Sequence, residues 1–170
     1  SYSDLVDFSP IVTSDSRDSW EQFATDTSPV EIPTSLYNNE GSIPVDAEGP
    51  FAPVWQLTPK PTGGQIVNFD LHSLPSFSRG FTSLLGGGHT ILSEPADLNL
   101  LHDFPGAKPS TPDVHEPHSF LIHPLYSNFG KTTEVVGTLT SLLRLQYLFA
   151  GTLPLQVSGL VTLLRVTCGS

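Results

Sequence analysis

Apolar and polar residues alternate along this chain in short blocks whose period changes several times. Residues 4–13 (DLVDFSPIVT) form an extended apolar run. Ser14 or Ser16 then stands where a helix N-cap belongs, ahead of a short helix that carries Trp20 and Phe23 and stops before Pro29. Residues 28–50 are rich in Pro, Asn, Glu and Gly and read as loop. Residues 51–58 (FAPVWQLT) and 65–71 (QIVNFDL) have strand character, joined by the turn Pro59-Lys60-Pro61-Thr62-Gly63-Gly64.

Residues 73–85 switch to helical spacing. Ser73 is the expected cap, and Pro75 falls in the first turn, where its missing N–H costs nothing. Phe77, Phe81, Leu84 and Leu85 lie at i, i+4, i+7 and i+8, which makes one apolar face. Gly86-Gly87-Gly88 ends it. Residues 89–93 suit a short strand, and 94–118 a long loop with one helical turn near Leu98. The last third is the most apolar. Ser119–Tyr126 and Glu134–Leu143 read as strands, Leu145–Leu153 as a short helix, and Gly159–Thr167 as a further buried strand.

The resulting order, β-β-α-(β)-β-β-α-β, predicts an α+β fold with a mainly antiparallel sheet and flanking short helices. Sixteen prolines and fourteen glycines agree with many short elements. At 170 residues the chain suits one domain with a substantial core. It contains no methionine, so we expect it to be a segment of a longer protein.

Charge divides the chain. Residues 1–49 hold ten acidic side chains against Arg17 alone, whereas residues 50–170 hold seven acidic and six basic groups. We therefore expect an acidic N-terminal extension, 1–49, packing on a domain formed by 50–170. An acidic lobe argues against nucleic acid, which demands clustered Lys and Arg, and against anionic lipid. Arg144, Gln146, Gln156 and Arg165 interrupt the apolar C-terminal region, well short of the roughly 20 apolar residues of a membrane span.

Catalytic motifs are scarce. Gly130-Lys131-Thr132 imitates the end of a phosphate loop, but Leu125 stands where that loop needs its first glycine. His115, His118 and His123, near Asp113 and Glu116, form a weak candidate metal cluster, with Pro117 and Pro124 breaking any helix that would align them. No Gly-x-Ser-x-Gly elbow occurs. We expect neither catalysis nor a cofactor in this segment. Recognition is better served. Trp55 has the amphipathic ring common in small-molecule sites. Asn68 and Asp70 alternate with Val67, Phe69 and Leu71, so they share one face of the expected strand, either a pocket floor or a solvated surface. Tyr126 is a further candidate ligand-binding residue. Cys168, the single cysteine, suits a buried apolar position in a reducing compartment; in an oxidising one it implies a free thiol or a partner outside the segment.

Several stretches, in order along the chain, resemble the extracytoplasmic sensor region of receptor-type nucleotide cyclases of diatoms and related algae. They are Phe8–Phe23, Gly49–Pro61 with Asn68–Asp70, Ile122–Phe129, Glu134–Pro154 and Ser158–Gly169. In the short helix Leu145 replaces a tryptophan common in that group, and Tyr147 and Phe149 are not adjacent. The resemblance implies a PAS-like (Cache/CHASE-like) sensor with an unknown small-molecule ligand, placed on the extracellular face between two membrane spans outside this chain. It also implies a homodimer formed through the parent receptor, a class III adenylyl or guanylyl cyclase domain beyond this segment, and a disulfide from Cys168 to a cysteine past Ser170. The rival expectations are a secreted metal-dependent hydrolase using His115–His123, an adhesive or structural ectodomain, and a cytosolic PAS-like regulator.

Overall fold

A computed structural model describes residues 3–27, 33–58, 66–97, 117–128 and 131–145. Its frame is an antiparallel sheet built mainly from three strands. These are β1 (Ser3–Pro10), β7 (Pro117–Asn128) and β8 (Lys131–Arg144). Shorter strands complete it: β4 (Gln56–Thr58), β5 (Ile91–Leu92) and β6 (Ala96–Asp97). A separate two-stranded ribbon joins β2 (Tyr37–Asn38) to β3 (Gly41–Ser42). The strand order is β4-β1-β8-β7-β5, with β6 also pairing β7. Numbered by position in the chain, the five strands of that path run 2-1-5-4-3. With two α-helices among the described residues, the fold is α+β, as the block pattern predicts.

Residues 3–10, on the acidic side of the expected boundary at residue 49, supply an interior strand of this sheet, with β4 on one side and β8 on the other. Thr13, rather than Ser14 or Ser16, opens the first helical segment. Its side chain accepts from the Ser16 N–H, and its own N–H donates to Ser16 Oγ, a reciprocal capping box. One 3-10 turn follows, and helix α1 spans Arg17–Thr27. Arg17 is buried, with Nη2 donating to the Ile43 carbonyl at 2.7 Å, Nη1 to that of Pro44, and Nε to Glu21 at 3.0 Å. Its guanidinium also lies over the Phe51 ring. These bonds fasten α1 to a small secondary core of Val12, Leu36, Ile43 and Phe51.

The expected strand 65–71 does not form in its described part. Residues 66–68 turn, Asn68 takes a left-handed conformation (φ 67°), and Leu71–Ser73 make a 3-10 turn. Asparagine tolerates that conformation better than most residues. Only Gln56–Thr58 of the expected strand 51–58 joins the sheet, while Phe51 and Pro53 make isolated bridges. Helix α2 runs Pro75–Gly87 with Pro75 in its first turn, as expected, but its N-cap is Leu74 and not Ser73, whose hydroxyl donates to the Asp70 carbonyl. Gly88 caps the far end at φ 62°. Phe77, Phe81 and Leu84 are fully buried, and Gly80 between them is buried, whereas Leu85 is 36% exposed. A Cβ on Gly80 would come within 3.2 Å of Ile122 and Ile91.

One face of the sheet is therefore covered in two ways. Helix α2 lies over the β7–β5 side, where Phe77 meets Phe120 edge-on at 5.7 Å. Irregular segments bearing Ala52, Val54, Ile66, Phe69, Leu71 and Leu74 complete the same core. Within the expected loop 94–118, Ala96–Asp97 is a strand and Pro117–His118 begin β7; residues 98–116 lie outside the described residues. Apart from Leu145, so do the expected helix 145–153 and strand 159–167.

Candidate ligand-binding site

Strand periodicity puts Leu5, Asp7 and Ser9 on one face of β1, and Val6 and Phe8 on the other. An amphipathic reading would bury valine and phenylalanine. The fold does the reverse. Asp7 is 2% exposed and Ser9 fully buried, while Val6 and Phe8 are half-buried. The neighbouring strand repeats this inversion: Thr138 and Thr140 are buried, and Leu139 between them is 41% exposed. Register places Asp7 opposite Thr140 and Ser9 opposite Thr138, so four polar side chains form a tight quartet under the cover layer.

Hydrogen bonding within the quartet is incomplete. Ser9 Oγ donates to Asp7 Oδ2 at 2.9 Å. Asp7 Oδ1, Thr138 Oγ1 and Thr140 Oγ1 are buried with no protein hydrogen-bond partner. Burial without a counter-charge pushes the Asp7 carboxyl up to about 8, with the Ser9 bond opposing. Against Asp7 and Thr140 lies a cavity of about 10 Å³, walled by Leu5, Val54, Leu71, Phe120 and Leu142. That volume admits one water-sized group.

The cavity's outer wall is braced from behind. The Asp70 carboxylate accepts from the N–H groups of Ala52 at 2.8 Å and His72 at 3.1 Å. Backbone bonds from Val54 N to Phe69 O and from Leu71 N to Ala52 O tie the two covering segments together. Burial raises the Asp70 carboxyl, while those two N–H groups and His72 oppose the rise. Asn68 is fully buried, with Oδ1 accepting from Trp20 Nε1 at 3.0 Å and Nδ2 donating to the Pro33 carbonyl at 2.6 Å. Asn68 and Asp70 thus set the positions of Val54 and Leu71 and do not themselves line the cavity.

The other anticipated residues lie apart. Trp55 follows the cavity residue Val54, but its ring packs with Trp20 at 5.0 Å and Phe23 at 5.3 Å, in a partly exposed aromatic cluster. Tyr126, on β7, donates its hydroxyl to the Gly88 carbonyl and pins the end of α2. Strands β1 and β8 separate these two sites. His118 and His123 sit five residues apart on β7, hence on opposite faces; His118 is buried, and the exposed His123 bonds Thr90 Oγ1 at 2.7 Å. His115 and Cys168 lie outside the described residues. Among the described residues no three His, Cys, Asp or Glu side chains gather to hold a metal ion.

Asp7 and the two threonines escaped prediction because both strands invert their polar phase. The available signal was the pair of alternations Leu5-Asp7-Ser9 and Thr138-Thr140-Leu142, whose inward direction only pairing reveals. No protein-family model matches this chain, and no curated protein does so either.

Proposed function

We propose that this domain is the extracellular ligand-sensing part of a transmembrane receptor, with a class III nucleotide cyclase as the parent protein. The observation that carries the reading is the cavity between sheet and cover layer, floored by the incompletely bonded quartet at Asp7 and Thr140. Buried polar groups without partners are uncommon in native cores, and small-molecule sites are mainly apolar with a few polar groups that fix orientation, as this cavity is. The 2-1-5-4-3 antiparallel order, with helix and loops on one face, supports a PAS-like sheet. The ordered sequence resemblance supports the receptor context.

Signalling follows from population shift. A ligand seated on the quartet contacts the sheet and the covering segments together, so it favours the packing that brings them closest. Helices entering the membrane outside this chain carry that bias inward, and the parent's own dimer and the Cys168 disulfide beyond Ser170 hold the reporting ends in register. This segment supplies no catalytic group in that scheme.

Deletion of the domain from the full-length receptor tests it. Stimulus dependence disappears and basal cyclase turnover persists. Loss of basal turnover at normal expression overturns a purely sensory role.

A further inference from the structure

Asp7 on β1 and Thr140 on β8 stand opposite each other at one small cavity. Asp7, Ser9, Thr138 and Thr140 present only oxygen atoms, and three of these oxygens are buried without a partner. We propose that the cavity at Asp7 and Thr140 is a binding site for an ammonium group, either the free ion or the head of a small primary amine; this rests on the reading of the domain as a ligand sensor. The chemistry matches in three respects. An ammonium group brings N–H donors and no acceptor, and the two partnerless oxygens at the cavity, Asp7 Oδ1 and Thr140 Oγ1, can both accept. It is about the size of a water molecule, as the cavity is. It also delivers the positive charge whose lack keeps the buried carboxyl from ionising.

Asp7 is more than nine-tenths buried and faces no competing charge. Its cross-strand neighbours are Leu57 on β4 and Thr140 on β8, and the remaining cavity residues are Leu5, Val54, Leu71, Phe120 and Leu142. The titratable groups flanking Leu71 in the covering segment are Asp70 and His72, and the Asp70 carboxylate is engaged by the N–H groups of Ala52 and His72. Binding at neutral pH therefore exchanges one proton for one cation. The Asp7 O–H bond breaks, its proton goes to buffer, and the carboxylate that remains pairs with the ammonium.

Isothermal titration of the folded domain tests this with ammonium, methylammonium and ethylammonium chlorides as probes, against potassium, acetate and ethanol. The cations bearing N–H donors bind, and at pH 7 each releases about one proton, read from the dependence of heat on buffer, falling toward none above pH 9. Ammonium binding tightest assigns the site to the free ion; methylammonium or ethylammonium binding tightest assigns it to an organic amine. Asp7→Asn weakens binding by about tenfold or more and abolishes proton release. Thr140→Val weakens it by about threefold or more, and Thr140→Ser restores it. Potassium binding as tightly as ammonium overturns the proposal, as does ammonium binding unchanged in Asp7→Asn or absent from the native protein. Should ethanol bind in the cavity where ammonium does not, the amine assignment falls and the sensor reading stands.

Discussion

The two halves of the sheet bury opposite kinds of surface. On the β7–α2 side, Phe77, Phe81, Leu84, Phe120 and Ile122 meet in a dry interface of aromatic and branched side chains. On the β1–β8 side, the corresponding inward positions hold Asp7, Ser9, Thr138 and Thr140. Close packing of apolar groups stabilises the first half. In the second, desolvated oxygens without partners each cost about 1–3 kcal/mol. One half secures the fold, and the other carries a cost in stability.

Truncation separates them most sharply. Phe77→Ala removes a fully buried ring from the apolar half and is expected to cost about 3–5 kcal/mol, read as a fall in the urea midpoint. Asp7→Asn acts in the other direction, with an effect that grows as pH rises. The folded carboxyl titrates near 8 and the unfolded one near 3.8, so the native state holds an extra proton between them. Stability is thus greatest at the acid end of that window and declines as pH rises through about 8. Asp7→Asn should flatten this slope and stabilise the protein at pH 9 by on the order of a few kcal/mol. A slope that survives the substitution would place the titrating group elsewhere.

A reciprocal pair of exchanges between an apolar side chain and a hydroxyl gives the smaller effects. Ile122→Thr removes a buried methyl and inserts an unpaired hydroxyl into the apolar half, and should cost about 2–3 kcal/mol. Thr140→Val removes one from the polar half and should be neutral or stabilising by up to about 1 kcal/mol. Equal destabilisation by both, in thermal melts, would mean that the halves do not differ as described.

Helix α2 and strand β7 were legible because their apolar spacing coincides with what the fold buries, and β8 was legible as a strand from its run of β-formers. Phe77, Phe81 and Leu84 point where a period of 3.6 sends them, and a proline and three glycines mark the ends. The site was not legible. Alternation tells which residues share a strand face, yet not which face turns inward. Val6, Phe8 and Leu139 carried the apolar signal and lie on the outer side. Asn68 and Asp70 were identified as important polar residues for a different reason from their actual one. Their backbone is a turn, and their side chains satisfy N–H and carbonyl groups in segments remote in sequence.

The pairing of β1 with β8 has a bearing on how the molecule assembles. The two strands come from opposite ends of the described chain, so their ladder closes a very long loop, and the entropy of that closure precedes any reward from contact. The β7–β8 hairpin, by contrast, is local and able to form early. During synthesis the first strand leaves the ribosome long before its partner exists. Seating β1 between β4 and β8 is then a late step, and the cavity that depends on Asp7 comes into being only when the sheet is complete.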